Sequence, residues 1–349
     1  MSRGSDTKFE NRSWTAEPSK SSNRVTVIAF LAISLVLLIG GCLYLLWSNS
    51  ATRTFAVSFA VTDYDERIPP PMFGVWDLST FESTATENGL KAWTSLSSKT
   101  YQDLQNSPDI EAALNELPSR LQEKGLERKD TLVVQLRCHA VVALDSDGQW
   151  TCGLFVGESS GSKSTVDDTV YPISKFLQRL KNVPAKNIVL IADICDLKSV
   201  PHRGWLVNPI ATYLLNSCEK LAKDANAMDN DLWIICAAAD AQPTYYSTKR
   251  KKTLFEAACE DSLQRIQSQN YLSLADYFEA TARYCYAASG GTQTPLMIHA
   301  NTHKFCSTNS NELWQQARRV SLCSNQGKQK TLRSGQRHCG KISQCFLRQ

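Results

Sequence analysis

Two apolar runs, each ending in a reactive side chain, dominate the pattern of hydrophobic and polar positions. Five of the six residues from Ile188 to Asp193 are apolar, and the run continues through Cys195 to a second acid. A similar run, Thr131–His139, ends in a histidine. Such continuous apolar runs are typical of buried strands in parallel sheets. Open α/β sheets bind ligands at the carboxyl edge of their strands, so we expect His139 and Cys195 to face each other there.

The rest of the chain alternates between strand and helix patterns. Strands are predicted at 54–62, 131–139, 187–193, 231–239 and 295–300, with a weaker one at 90–96 and a β-hairpin formed by 141–144 and 150–156. Helices are predicted at 109–121, 172–180, 208–221, 253–263 and 273–284. This alternation predicts an α/β fold, with a mainly parallel six-stranded sheet covered by helices on both faces.

One segment before this alternation has a different character. Val25–Trp47 contains 23 residues without a charge, long enough as a helix to cross a hydrocarbon core of about 30 Å. A cleaved signal peptide is the alternative, but its apolar region is only about 7–15 residues long. Tyr44 and Trp47 suit a membrane interface. We therefore predict one uncleaved transmembrane helix.

The basic residues around this segment predict its orientation. Two of them follow it closely, Arg53 and Arg67. Five precede it: Arg3, Lys8, Arg12, Lys20 and Arg24. The positive-inside rule then places the N-terminus in the cytoplasm and the main domain outside it. The chain has 12 cysteines without a disulfide-type spacing, which favours a reducing compartment instead. We give the charge asymmetry more weight, since buried cysteines can stay reduced even in an oxidising compartment.

Composition divides the chain into four parts. These are a polar tail at 1–24, the transmembrane helix at 25–47, a globular domain at 48–300 and a basic tail at 301–349 that we expect to be disordered. The last part carries nine Lys/Arg and the single acid Glu312. The formal net charge is only +4, so nothing indicates nucleic-acid binding. Zinc binding by His303, Cys306 and later cysteines lacks a paired C-x-x-C spacing, so no metal is expected.

The chemistry available to His139 and Cys195 is nucleophilic. A thiolate attacks a carbonyl carbon while an imidazole transfers the protons. The two residues are 56 positions apart, and a hairpin, a loop and a helix between them suffice for one right-handed crossover. A lone strand-end cysteine or histidine is more often structural, but the pairing favours a dyad. His202 is a rival base, and Cys138 should point to the opposite face.

This layout resembles the caspase-like fold of the clan CD cysteine peptidases, over roughly residues 54–300. In that family a histidine ends one strand and a cysteine about 50 residues later ends the next. Asp193-Ile-Cys195 is similar to the Asp-x-Cys of metacaspases and related bacterial proteins. The segments 238–242, 245–247, 253–255 and 293–296 also fit the family pattern. The resemblance implies a caspase-like α/β/α sandwich and a cysteine endopeptidase that needs no cofactor.

The resemblance also implies a role for each site residue. Cys195 would be the nucleophile and His139 the general acid/base, with the backbone N–H groups of Cys195 and Ala140 holding the oxyanion. The substrate-binding residues would be Asp193, Gln242, Tyr246 and Ser247. Asp193 implies that the residue before the scissile bond, P1, is basic. Lys249 stands where caspases carry an arginine for an acidic P1, so that alternative stays open.

Two departures from the family pattern leave activity open. Ala140 replaces the glycine that normally follows the histidine, and Asp196-Leu-Lys replaces the usual His-Ser-Gly or Arg-Gly after the cysteine. An acid beside the thiol disfavours the thiolate. The sequence therefore predicts a membrane-anchored endopeptidase acting on proteins or peptides, with a catalytically inactive scaffold as the alternative. It says nothing about the oligomeric state.

Overall fold

The computed structural model describes residues 28, 30, 33–39, 53–61, 93–95, 107–144, 150–155, 170–196, 208–223, 230–265, 271–300, 305–306, 315 and 317–324. The chain divides into two units, 1–51 and 52–349. In the first unit, residues 33–39 are helical and exposed. Among the described residues, no helix has both the length and the hydropathy needed to cross a bilayer. Most of the predicted span 25–47 lies outside the described residues.

The second unit contains the predicted strands and helices. Its strands are β1 Thr54–Ala60, β2 Trp93–Ser95, β3 Thr131–Leu144, β4 Trp150–Phe155, β5 Val170–Pro172, β6 Asn187–Asp196, β7 Asp231–Cys236, β8 Tyr246–Ser247, β9 Lys252–Thr253, β10 Tyr271–Ser273, β11 Leu296–Ala300, β12 Phe305–Cys306 and β13 Ser321–Ser324. Its helices are α1 Ser107–Glu123, α2 Ile173–Lys181, α3 Ile210–Lys223, α4 Leu254–Arg265 and α5 Leu274–Ala288.

The central sheet is mainly parallel, as predicted. Strands β2, β1, β3, β6 and β7 lie side by side and parallel, and β11 and β12 continue the sheet antiparallel beyond β7. The hairpin strand β4 pairs with β3 and with β5, so the described sheet has nine strands where the sequence predicted six. The three additional strands are β4, which the sequence predicted as part of a hairpin, and the short strands β5 and β12.

Strand β3 is longer than predicted. The sequence predicted a break near Ala140, but one strand runs from Thr131 to Leu144. Its first part pairs with β1 on one side, and from His139 onward β4 takes the place of β1. The change of partner supplies new hydrogen bonds without ending the strand. His139 therefore lies inside a paired strand and not at a free strand end.

Helices cover both faces of the sheet, and each face has its own core. Helices α1, α2 and α3 pack on one face, which we call the first core. Helices α4 and α5 pack on the other face, the second core. Alternation along β3 sends Leu136 and Cys138 to the first core and Val133 to the second. Because Arg137 and His139 share the parity of Val133, they face α4 and α5.

Part of the predicted tail 301–349 packs against the domain. Strand β12 pairs with β11, and β13 pairs with β10. Ala317 and Val320 are buried in the second core, and the Val320 carbonyl accepts a hydrogen bond from the Leu274 N–H at the start of α5. Two apolar residues of this basic segment, Ala317 and Val320, are thus used for packing. The rest of it lies outside the described residues.

A carboxylate on α1 ties this helix to β5 and α2. Glu111 accepts hydrogen bonds from the Tyr171 hydroxyl and the Arg179 guanidinium, and it lies 3.1 Å from the Lys175 ammonium. Burial alone would raise the pKa of Glu111, but the hydrogen bonds from these three groups outweigh it and lower the pKa to about 2. The ionised carboxylate therefore stabilises the packing of the first core.

We expect Glu111→Gln to lower the free energy of unfolding by about 1 kcal/mol at neutral pH. A depressed carboxylate pKa contributes stability above its ordinary value of 4.5, which is lost as the pH falls toward 2. The difference between the wild type and the variant should therefore shrink over that range. Urea titrations at several pH values measure it. Glu116→Gln, which removes an exposed ion pair with Arg120 within α1, is the control, and equal losses in both variants would contradict the assignment.

Candidate active site

The pairing of β3 with β6 places the predicted dyad in contact. His139 and Cys195 are register partners on these parallel strands. The Cys195 Sγ lies 2.8 Å from the His139 Nδ1. The imidazole is 9% exposed, and the cysteine is half-buried. Two side chains directly opposite each other on paired strands need no loop to bring them together, so the backbone itself holds the thiol and the imidazole at bonding distance.

The other candidate groups around the dyad fall on different sides of it. Cys138, next to the imidazole, is buried in the first core and faces away from the dyad, as predicted. Ala140 is buried and in register with Asp196 on one side and Leu154 on the other. His202, the rival base, lies outside the described residues. Among the described residues, the imidazole in contact with the thiol is that of His139.

The environment of the thiol favours its neutral form. Burial is the largest cause, and the negative charges of Asp193 and Asp196 add to it, raising the pKa of Cys195 to about 12. A hydrogen bond with the Thr244 hydroxyl acts in the opposite direction. At neutral pH the resting site therefore holds a thiol, not a thiolate. Any reaction of Cys195 near neutral pH must remove this proton, and His139 is placed to accept it.

Thr244 is a site residue that sequence reasoning missed. It lies in the loop after β7, between the predicted substrate-binding residues Gln242 and Tyr246. The Gln293 side chain holds this loop, donating to the Ala237 carbonyl at 3.0 Å and accepting from the Tyr245 N–H at 3.1 Å. The only sequence signal was a polar residue just beyond a buried strand, and such residues are common.

Gln242 stabilises the same loop. Its side-chain oxygen accepts from the Thr294 N–H at 2.6 Å, and its carbonyl accepts from the Asn208 amide at 2.8 Å. Ala241, just before it, has a positive φ of 58°. Because the amide oxygen of Gln242 already has a backbone partner, Gln242 contributes to the site by holding the loop that carries Thr244. Its assignment to substrate remains a prediction.

Tyr246 and Ser247 are placed by a small two-stranded sheet. They form β8, which pairs with β9, so that Tyr246 is in register with Thr253. The Ser247 hydroxyl accepts from the Arg250 N–H at 3.3 Å in the connecting turn. Lys249, in the same turn, is exposed. The register connects this loop to the dyad, because the Thr253 hydroxyl in turn donates to Asp193 at 2.7 Å.

Asp193 lies in a buried cluster of charged groups below the dyad. Its carboxylate is 3.7 Å from the Arg137 guanidinium, which also contacts Glu256 at 2.5 Å. Burial raises the pKa of Asp193, and Arg137 and Thr253 oppose the rise. Burial also raises the pKa of Glu256, to about 7, with Arg137 opposing. The acid predicted to bind a basic P1 side chain thus already has an arginine beside it.

The described residues hold no metal-type cluster, and a cavity lies away from the dyad. Across the described ranges, no three His, Cys, Asp or Glu side chains converge as metal ligands would. A cavity of about 380 Å³ lies between β4, α2 and α3, lined in part by Trp150, Tyr213 and Lys220. Neither dyad residue lines this cavity. The chemical groups and the cavity are therefore at different places in the domain.

We expect Asp196→Asn to increase the reactivity of Cys195. The negative charge of Asp196 raises the pKa of this thiol, so its removal lowers the pKa and increases the thiolate fraction. Alkylation by iodoacetamide at about pH 9 should become roughly threefold to tenfold faster. Peptide mass spectrometry isolates Cys195 from the other cysteines. The control is Asp240→Asn, because Asp240 is exposed and solvent screens its charge. An unchanged or slower rate in Asp196→Asn would show that the charge has no such effect.

Comparison with known proteins finds distant structural likenesses. No family model and no curated protein matches the sequence. A crystal structure of a Geobacter sulfurreducens protein shares 11% identity, covers 72% of this chain and 95% of its own, and gives a TM-score of 0.45. Caspase-1 from Spodoptera frugiperda shares 10% identity, with 73% and 88% coverage and a TM-score of 0.40. At these identities and TM-scores, neither likeness assigns an activity to this chain.

Proposed function

We propose that this protein is a caspase-like cysteine endopeptidase. The observation that carries the proposal is the 2.8 Å contact between the Cys195 Sγ and the His139 Nδ1, made by register partners on two central strands. Two reactive groups at this distance, on two paired strands, form a nucleophile and base that are already oriented. The expected substrates are proteins or peptides.

The reaction follows from this geometry. His139 Nδ1 accepts the thiol proton as the sulfur attacks the peptide carbonyl, forming an S–C bond and an oxyanion. The oxyanion collapses, the C–N bond breaks, and the amine leaves with the proton from His139. Water, giving a proton to His139, then attacks the thioester carbonyl; the S–C bond breaks, the acid product leaves, and the Cys195 sulfur takes the proton back from His139. In this proposal the backbone N–H groups of Cys195 and Ala140 hold the oxyanion, and no cofactor is used.

An inactive scaffold is the second candidate. The observation that favours it is the thiol itself, whose pKa burial and two neighbouring acids raise to about 12. Papain-like thiolates have strongly lowered pKa values instead. A scaffold would keep the fold and bind partner proteins without turnover. The peptidase remains our proposal because a base in direct contact can remove the proton during attack, when the substrate has displaced water.

The test is covalent labelling by peptidyl acyloxymethyl ketones that vary only at P1. Folded wild-type protein should form a thioether at Cys195, located by peptide mass spectrometry, with at least one member of a panel carrying Arg, Lys, Asp, Leu or Ala. Cys195→Ala should abolish the adduct. If no member modifies Cys195 in folded protein, the peptidase proposal fails and the scaffold is favoured.

Attachment to a membrane is a separate proposal. It rests on the uncharged segment 25–47 and on the excess of basic residues before it. Under this proposal the N-terminus is cytoplasmic and the peptidase domain is outside the cytoplasm. Carbonate extraction tests the membrane attachment, and protease protection of sealed membrane vesicles tests the orientation. The domain should remain with the membrane after carbonate extraction, and its accessibility should depend on the orientation of the vesicles.

A further inference from the structure

The layer of side chains directly below the dyad consists of a second register pair. Arg137 and Asp193 are partners on β3 and β6, as His139 and Cys195 are. Each precedes its dyad residue by two positions, which is about 6.6 Å along a strand and leaves the side chains on the same face. The Arg137–Asp193 pair is therefore the nearest register pair below the dyad on the face of α4 and α5.

The contacts of this pair are all internal to the protein. The Arg137 and Asp193 side chains are only 2% and 3% exposed and lie 3.7 Å apart. The same nitrogen of Arg137, Nη2, also contacts Glu256 of α4 at 2.5 Å. Asp193 also accepts a hydrogen bond from the Thr253 hydroxyl, whose oxygen accepts the Glu256 N–H at 2.9 Å and so caps α4. Asp193 is thus bonded to the start of α4 as well as to Arg137.

Each acid of the cluster already has a cation of the protein beside it. Arg137 supplies a permanent positive charge between two carboxyl groups, and burial raises the pKa of both. The Lys252 ammonium compensates the outer acids, at 3.9 Å from Glu256 and 2.5 Å from Glu260. A second cation brought to Asp193 by a substrate would lie beside a buried guanidinium, and two like charges in a desolvated site repel strongly.

We propose that Arg137 determines the side-chain specificity of the site. It neutralises Asp193 from within, so that the native site accepts an uncharged P1 side chain and Asp193 acts as a positioning residue for Thr253 and α4. This inference rests on the proposed peptidase function of Cys195 and His139. It differs from the preference for basic P1 that the Asp-x-Cys sequence implies, because that preference requires a carboxylate with no cation of its own.

A gain of specificity tests the proposal. The double variant Arg137→Gln/Glu256→Gln removes one charge of each sign. It leaves the Asp193 carboxyl group without the guanidinium that lies beside it in the wild type. We expect the ratio of labelling rates for P1 Arg over P1 Leu probes to rise about tenfold or more relative to the wild type. Adding Asp193→Asn should abolish the gain. A purely structural cluster would slow all probes together and leave the ratio unchanged.

A binding measurement keeps the test independent of turnover. Benzamidine is a small cation that mimics an arginine head group. It should not bind the wild-type site but should bind the double variant, and adding Asp193→Asn to the double variant should abolish this binding. Chemical shifts of backbone amides in β6 report the binding. If no probe labels Cys195, the peptidase proposal fails, but benzamidine binding still shows whether Asp193 can bind a cation. Wild-type binding of benzamidine at Asp193, or a wild-type preference for P1 Arg or Lys, would overturn the role of Arg137.

Discussion

His139→Ala should reduce the rate at which Cys195 is acylated by about 10²- to 10⁴-fold. The thiol has a pKa of about 12, so very little thiolate exists near neutral pH without a base to remove the proton. His139 is that base, at 2.8 Å from the sulfur. The second-order rate constant for labelling by the best probe of the panel, followed by mass spectrometry, measures the loss.

The neighbouring Cys138 provides a matched control for this experiment. It precedes His139 in β3 but is buried in the first core, on the opposite face of the sheet. Cys138→Ala should therefore leave the labelling rate of Cys195 within about twofold, since it touches no reacting atom. If His139→Ala labels as fast as Cys138→Ala, the contact in the structure has no catalytic meaning. The scaffold interpretation would then stand.

Arg137→Gln alone should cost about 3–5 kcal/mol of folding free energy. The single change leaves the carboxyl groups of Asp193 and Glu256 buried together without the guanidinium that lies between them. Such uncompensated buried charge is among the most destabilising effects of a point mutation. Denaturant titration at neutral pH gives the loss directly, provided that the variant folds at all.

A double-mutant cycle separates the ion pair from simple packing. Adding Glu256→Gln to Arg137→Gln should recover a large part of the loss, because one of the two stranded acids is removed. Arg120→Gln serves as the surface control, since Arg120 pairs with Glu116 on the exposed side of α1 and should cost less than about 0.5 kcal/mol. If Arg137→Gln were as mild as Arg120→Gln, the buried cluster would not have the energetic role described here.

Most of the fold could be predicted because it is encoded in local patterns. The apolar runs that became β3, β6 and β7 are buried on both faces of the sheet, so they show no alternation and stand out from their surroundings. Strand limits and strand partners were predicted less well where a strand pairs with a segment distant in the sequence. The extension of β3 to Leu144 depends on β4 replacing β1 as its neighbour, and β13 depends on pairing with β10. Neither partner can be identified from the pattern of the strand itself.

The sequence by itself determined that a histidine and a cysteine belong to two buried strands of a mainly parallel sheet, because continuous apolar runs identify such strands locally. Only the tertiary structure decided what surrounds them. The register of β3 against β6 puts Arg137 beside Asp193, the loop after β7 brings the Thr244 hydroxyl to the thiol, and α4 adds Glu256 to the cluster. These contacts join segments far apart in the chain. Burial and the neighbouring acids set the pKa of Cys195, and Arg137 and Thr253 contact the Asp193 carboxyl group. The identity of the dyad is thus a local property, whereas its reactivity and specificity are properties of the folded chain.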